Sequence, residues 1–369
     1  MMRVLFFRPT LGEGGADRVT LTLLQRLDRS RFRPSLALVH KAGPFLADLP
    51  DDVAVHELGS PRLALSLPAF ARILGRERPD VVFSTCSTSN VVASAAHGLT
   101  RSRARLVLSE RNALYRGRGR RHLKQSTEVA LKKLLYRRAD LVTAVSQGVA
   151  DELAAVVRLP AERIAVVYNP MVDDDLAARA AEPVDHPWFA PDAGVPVILA
   201  CARLVPQKDY PTLLDAFVRI RRQRAARLWV LGEGPLRAEL EERARGLGVG
   251  DDVRFAGFDK NPFKYMARAR LLLHASRAEG LPGSLIQAMA CGTPVVSTDC
   301  DFGPREVITD SGRDGFLVPV GDAAGLADRG LRLLGDPDLR ARVSAEARRA
   351  AERFTVDASL RRYQAAIEG

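Results

Sequence analysis

Glu279-Gly280-Leu281-Pro282-Gly283-Ser284-Leu285-Ile286-Gln287-Ala288-Met289-Ala290-Cys291-Gly292-Thr293-Pro294-Val295-Val296-Ser297 reads as a loop, a helix, a turn and a strand, in that order. The Gly-Leu-Pro-Gly turn launches the helix, with Ser284 placed as its N-cap. Leu285, Ala288 and Met289 share one face at helical spacing, and Gly292 followed by Pro294 ends the helix. Ahead of the loop, residues 271–275 form an unbroken apolar run, as a buried parallel strand does. Glu279 therefore stands in the loop at that strand's carboxyl end, and Gln287 lies one turn into the helix. Ligands of open α/β sheets sit at this edge, where the free N–H groups of a helix start favour an anion. The plain alternative is a surface loop running into an ordinary core helix.

Working outward, a chain of 369 residues suggests two domains, each able to bury its own core. Apolar residues make up 47% of it and no low-complexity tract interrupts it, which argues against disorder. No apolar run approaches the roughly 20 residues of a membrane-spanning helix, and the opening Met-Met-Arg-Val-Leu-Phe-Phe reads as a first strand rather than a signal peptide. Cys86, Cys201, Cys291 and Cys300 show no metal-ligand spacing and suit a reducing cytoplasm. Net charge is +11, and residues 101–140 hold thirteen Lys or Arg against three Asp or Glu. Nearly the whole excess thus lies in one segment, which points to one anionic partner surface.

Apolar runs at 3–8, 35–40, 80–84, 105–109, 141–145 and 164–168 alternate with helix-like segments, the pattern of a parallel sheet. The proline-rich stretch 181–196 reads as a linker, after which strands at 197–202, 228–232, 253–256, 271–275, 294–297 and 315–318 repeat the pattern. The expected architecture is α/β, two Rossmann-like domains spanning 1–183 and 190–352, with a last segment at 357–369.

Three further stretches carry chemistry. Arg203 and Lys208, five apart in the loop after the first strand of the second half, can converge on one diphosphate; solvated loop charges are the plain alternative. Gly12-Glu13-Gly14-Gly15, between the first strand and first helix, suits the approach of a phosphate to backbone but lacks the G-x-G-x-x-G dinucleotide pattern. From Arg116 to Arg138 the basic segment joins Arg118, Arg120, Arg121 and Lys124 to an amphipathic stretch with Leu131, Leu134 and Leu135 on one face. That stretch is either a helix packed on the first sheet or a contact with anionic lipid. Nucleic acid is disfavoured, since no interleaved aromatic residues accompany the charge. His97, His122 and His274 are scattered and read as structural.

The frame from Glu279 to Val296 resembles the donor-site segment of glycosyltransferase family 4, retaining group 1 enzymes of the GT-B fold, with Gln287 where that family carries a second Glu. The Arg203–Asp209 stretch resembles the same family's G-R-L-x-x-Q-K-D motif, and Gly14-Gly15-Ala16-Asp17 its G-G-A-E turn. The resemblance implies two Rossmann-like domains facing across a cleft, a nucleoside diphosphate sugar (by family habit a UDP-sugar) as substrate, and no metal or other cofactor. It implies that Arg203 and Lys208 hold the donor diphosphate and that Glu279 holds the sugar. It further places Gly15, Gly257, Asn261, Gly280, Leu281, Pro282, Gly283, Ser284, Leu285 and Gln287 around the donor. Arg111, at the end of the 105–109 strand, stands near where relatives often carry a sugar-contacting His. With the basic patch it suggests a glycan acceptor, lipid-linked and met at the cytoplasmic face of a membrane. The C-terminal helix is implied to return to the first domain. A sugar-nucleotide epimerase or hydrolase of the same fold, and a non-catalytic nucleotide-binding subunit, are the alternatives.

Overall fold

A computed structural model of the chain describes residues 1–12, 14–111, 122–190 and 192–369. It divides into two units, Met1–Pro170 with Asp357–Gly369, and Met171–Val356. This division precedes the 183–190 boundary suggested by composition, because Met171 and Val172 already belong to the second unit. Their N–H groups both donate to the Phe354 carbonyl at 3.1 Å, and that of Val356 donates to the Val172 carbonyl at 2.8 Å. Nor is 181–196 a free linker. The rings of His186, Trp188 and Phe189 meet Trp229 edge-on at 4.6, 5.8 and 5.1 Å, so the stretch forms a wall of the second unit.

In the first unit, strands β1 (Met2–Arg8), β2 (Phe32–Leu38), β3 (Ala54–Glu57), β4 (Val81–Thr85), β5 (Arg105–Glu110), β6 (Leu141–Ala144) and β7 (Ile164–Val166) form one parallel sheet. Its order is β3-β2-β1-β4-β5-β6-β7. The inner strands read as apolar runs because helices cover both faces: Val4 to Phe7 and Val82 to Phe83 are fully buried. Strand β3, half-exposed at the sheet's edge, has no such run to announce it. The final helix, Val356–Glu368, gives buried Tyr363 to this core, edge-on to Phe83 at 5.9 Å.

The second unit holds β8 (Val197–Cys201), β9 (Arg227–Leu231), β10 (Val253–Gly257), β11 (Leu271–His274), β12 (Val295–Thr298) and β13 (Phe316–Val318), again parallel, in the order β10-β9-β8-β11-β12-β13. Each sheet thus repeats the 3-2-1-4-5-6 order of a doubly wound fold, the first unit adding one strand. The order reverses between β1 and β4 and between β8 and β11. Helix Tyr210–Gln223 buries Leu213, Leu214, Phe217 and Ile220, each contributing about 1.5–3 kcal/mol relative to exposure, and so fixes the loop that feeds it. No helix among the described residues is long and apolar enough to cross a membrane.

Candidate functional site

The loops after β8 and β11 leave the sheet side by side at the point where its strand order reverses. The first carries Arg203 and Lys208, the second Glu279. The Lys208 ammonium lies on the Glu279 carboxylate, with side chains only 14% and 7% exposed. His274, the last residue of β11, brings Nε2 to 3.0 Å from the same oxygen, while its Nδ1 lies 3.2 Å from Ser297 Oγ. A bare ring nitrogen facing a carboxylate at that distance is repulsive, so the anion selects a ring protonated on Nε2. Burial alone would push the Glu279 carboxyl up; the Lys208 charge and the His274 hydrogen bond outweigh it and hold the acid well below the ordinary carboxylate range.

Backbone and side chains stitch the two loops together. Gln207 Nε2 donates to the Ala278 carbonyl at 2.5 Å, and the Arg277 N–H donates to the Gln207 carbonyl at 2.9 Å. Buried Asp209 accepts from Arg277 Nε and from Thr212 Oγ1, both at 2.8 Å. The Arg203 loop rests on the chain after β9, where a Cβ at Gly232 would stand 2.1 Å from the Ala202 carbonyl oxygen. Sequence reasoning gave no role to Gln207, Asp209 or Gly232. The pair Gly232-Gly234 closing a strand is the one linear signal of this contact. Arg203 itself is exposed and holds no partner among the described residues, so the structure joins Lys208 to Glu279 rather than to Arg203.

Helix Gly283–Ala290 starts at Gly283 with Pro282 as N-cap, not at Ser284 as the sequence suggested. The Pro282 carbonyl already accepts from the N–H groups of Leu285 at 3.1 Å and Ile286 at 3.4 Å, which places Ser284 inside the first turn. Leu285, Ile286, Ala288 and Met289 are buried, whereas Gly283, Ser284 and Gln287 are only half-buried. Ser284 and Gln287, three apart, therefore share the open face. The Gln287 amide makes no hydrogen bond among the described residues. Beneath the Gly280-Leu281-Pro282 loop lies Gly303, at φ +87°, where a Cβ would stand 2.7 Å from Pro282 Cδ and 3.0 Å from the Gly280 carbonyl oxygen.

The remaining sequence-derived positions are mixed. Gly257 closes β10 at φ +84°. The Asn261 side chain is committed locally, donating to the Arg179 carbonyl at 2.8 Å and accepting from the Phe263 N–H at 3.2 Å. In the first unit, Gly15 opens helix Gly15–Arg26, and Asp17 in its first turn pairs with buried Arg8 at 2.6 Å. Arg111 is 5% exposed; its Nη1 donates to Asn169 Oδ1 at 3.2 Å, while its buried Nε and Nη2 have no partner among the described residues. Arg118, Arg120 and Arg121 lie outside the described residues, as does the side chain of Lys124.

Helix His122–Leu135 does not bury Leu131 and Leu134, as the first of the two readings of its sequence would have it. Lys132 is fully buried, with its ammonium 3.0 Å from Glu110 Oε2, 3.1 Å from Glu128 and 3.0 Å from Ser87 Oγ, and so adds nothing to the basic surface. Leu131 and Leu134 are exposed instead, at 42% and 68%.

The sequence profile described as Glycosyltransferase Family 4 matches residues 13–175, and that described as Glycosyl transferases group 1 matches residues 195–336. The chain is 28% identical, over 96% of both chains, to an N-acetylgalactosamine-N,N'-diacetylbacillosaminyl-diphospho-undecaprenol 4-alpha-N-acetylgalactosaminyltransferase of Campylobacter jejuni. It is 34% identical to the lipopolysaccharide core biosynthesis glycosyltransferase LpsE of Rhizobium meliloti over 44% of this chain and 46% of that one. Among solved structures, Anabaena Alr3699/HepE in complex with UDP-glucose superposes with a TM-score of 0.85 at 23% identity over the whole of both chains. Sucrose-phosphate synthase from Thermosynechococcus elongatus gives 0.81 at 19% identity over 100% and 98%. Two parallel Rossmann-like sheets and these matches define a GT-B fold. The chain belongs to the family 4, group 1 glycosyltransferases.

Proposed function

We propose that the chain is a retaining transferase that moves a hexose or N-acetylhexosamine from a UDP-sugar to a lipid-linked or cell-surface glycan acceptor. The observation that carries this reading is the Lys208–Glu279 pair at the strand-order reversal, with exposed Arg203 and the start of helix Gly283–Ala290 beside it. An arriving diphosphate competes with Glu279 for Lys208. Once Lys208 turns to the phosphate, His274 keeps its hold on the shared oxygen, and the carboxylate, no longer paired with the ammonium, accepts sugar hydroxyls. Arg203, Lys208 and the leading N–H groups at Gly283 and Ser284 then take the charge that grows on the phosphate as its bond to the anomeric carbon breaks. The acceptor oxygen bonds to that carbon on the face being vacated, its proton passes to the departing phosphate, and configuration is retained. The cationic work is thereby assigned to side chains and backbone, with no metal.

Donor and acceptor class draw support from the relatives. The HepE structure holds UDP-glucose, and the Campylobacter relative is named for a diphospho-undecaprenol-linked saccharide. Arg111 supports an acceptor bearing phosphate, because a buried guanidinium with two nitrogens unpaired among the described residues is a ready partner for an anion. Exposed Leu131 and Leu134 beside exposed Arg137 and Arg138 support peripheral attachment to an anionic membrane, at the cytoplasmic face.

The test is incubation with a panel of nucleotide sugars, with and without membrane lipid extract. Transfer gives a glycosylated lipid from one UDP-sugar. A new sugar nucleotide, free sugar alone, or no turnover of any donor overturns the reading.

A further inference from the structure

The second unit carries another basic feature, separate from the loops of Arg203 and Glu279. A cavity of about 530 Å³ opens where residues 193–197 lead into β8, and Arg270, just ahead of β11, lines it too. It therefore lies at the amino ends of strands whose carboxyl ends carry the candidate site. At ~3.3 Å per residue, five-residue β8 holds the two ends roughly 15 Å apart.

Four arginines line it, Arg224, Arg268, Arg270 and Arg340, and no Asp or Glu does so among the described residues. None of the four forms an ion pair among the described residues. Arg268 spends donors on the carbonyls of Ala180, Lys264 and Ala181, at 2.9, 2.9 and 3.3 Å, and Arg340 donates to the Leu333 carbonyl at 3.0 Å. Arg224 and Arg270 donate to no described residue through their side chains. Trp188, on the cavity wall, already carries the Arg227 guanidinium 5.1 Å from its ring centroid. Asp336 has one carboxylate oxygen engaged as N-cap of helix Pro337–Ala351, accepting from the Leu339 N–H at 2.8 Å.

Helix dipoles account for part of this charge. Helices Tyr210–Gln223 and Ala323–Gly335 end at this edge, and their terminal carbonyls favour nearby cations such as Arg224. Arg340 does not fit that account. It lies in the first turn of a fifteen-residue helix, the end that favours anions. Burial, with Arg270 and Arg224 close by, lowers its pKa, and Asp336 offsets this only in part. Like charges gathered around one cavity against their own repulsion are relieved most by a multivalent counter-anion, which several forked donors can grip together. We infer that this cavity is a second anion site, taking a di- or triphosphate group on Arg224, Arg270 and Arg340.

The test uses inorganic tripolyphosphate and the full chain. Titration calorimetry at fixed ionic strength is done on Arg203→Ala/Lys208→Ala, which silences the phosphate clamp of the other edge. One-to-one binding is expected to remain there and to weaken by about tenfold or more when Arg270→Glu or Arg340→Glu is added, since each removes a charged donor. Diffuse binding of several ions per chain, binding no tighter than that of sulfate, or affinity unmoved by either charge reversal would overturn the site. If a reversal fails to fold, Arg340→Leu serves instead. Relief of repulsion predicts an unchanged or higher melting temperature together with weaker tripolyphosphate binding. A lower melting temperature with unchanged binding would mean that the arginines serve helix ends only.

Discussion

At the scale of single residues, Glu279 is a buried acid whose ionisation depends on two neighbours acting against burial. Its ionised form stabilises the fold above about pH 4.3, the value for an unfolded chain, and that contribution fades only as pH falls toward the depressed folded value. Lys208→Ala leaves His274 alone to oppose burial, so the carboxyl rises. Transfer by this variant should gain an acid limb within roughly pH 5–7, absent from wild type and from Lys208→Arg. A Lys208→Ala rate profile as flat as wild type across that range would remove Lys208 as the group that keeps Glu279 charged. Gln287 poses a separate question, since a carboxamide replaces a carboxylate on the open face of its helix. Its amide offers one acceptor oxygen and a donor nitrogen. Gln287→Ala should cost about 1–3 kcal/mol, roughly 5- to 150-fold in donor affinity, and appear in KM rather than kcat. Calorimetry with UDP decides it, and equal affinities would make Gln287 a helix residue only. His274 escaped the sequence reading because its partner, five residues on, meets it only after the chain turns back from β11; no linear spacing encodes that.

Elements were legible where burial is two-sided. Inner strands such as β1, β4, β8 and β11 lie on continuous apolar runs, whereas β3 at an edge and the aromatic wall at 181–196 carry no such period. Helix His122–Leu135 shows the limit most clearly. Its leucines fitted either a packed face or a lipid contact, and the Glu110 carboxylate draws Lys132 inward and leaves Leu131 and Leu134 out. Charge pairing there overrides the apolar pattern. The site loops were legible as motifs, but their stitching was not, since it joins residues about seventy positions apart, such as Gln207 and Ala278. Gly303 supports one of these loops from below. The structure makes it the floor of the Gly280–Pro282 loop. Gly303→Ala forces a side chain into a positive-φ conformation at about 1–3 kcal/mol and drives Cβ against Pro282. The melting temperature should fall and UDP binding should weaken together. Wild-type values for both would show that the loop is held from elsewhere.

For the whole molecule, the decisive quantity is where the charge lies rather than how much there is. The net +11 sits almost entirely in residues 101–140, within the unit that does not carry Glu279. Burial of Lys132 withdraws one charge from that surface, yet Arg101, Arg137 and Arg138 stay exposed there. Leu134 at 68% and Leu99 at 71%, on helices that pack together, add apolar groups among them. A surface of this kind meets lipid in two ways. Each basic residue near an anionic bilayer contributes about 1 kcal/mol and is screened over about 10 Å at 0.1 M salt, whereas an inserted leucine is indifferent to salt. The chain should therefore sediment with vesicles containing anionic lipid and be largely released as salt rises, leaving a residue bound. Arg118, Arg120, Arg121 and Lys124 changed to Glu should remove the salt-sensitive part, and Leu131→Asn with Leu134→Asn the salt-resistant part. Equal binding to neutral and anionic vesicles, or loss of both parts in either variant alone, would mean that charge and leucines do not act as separate contacts with lipid.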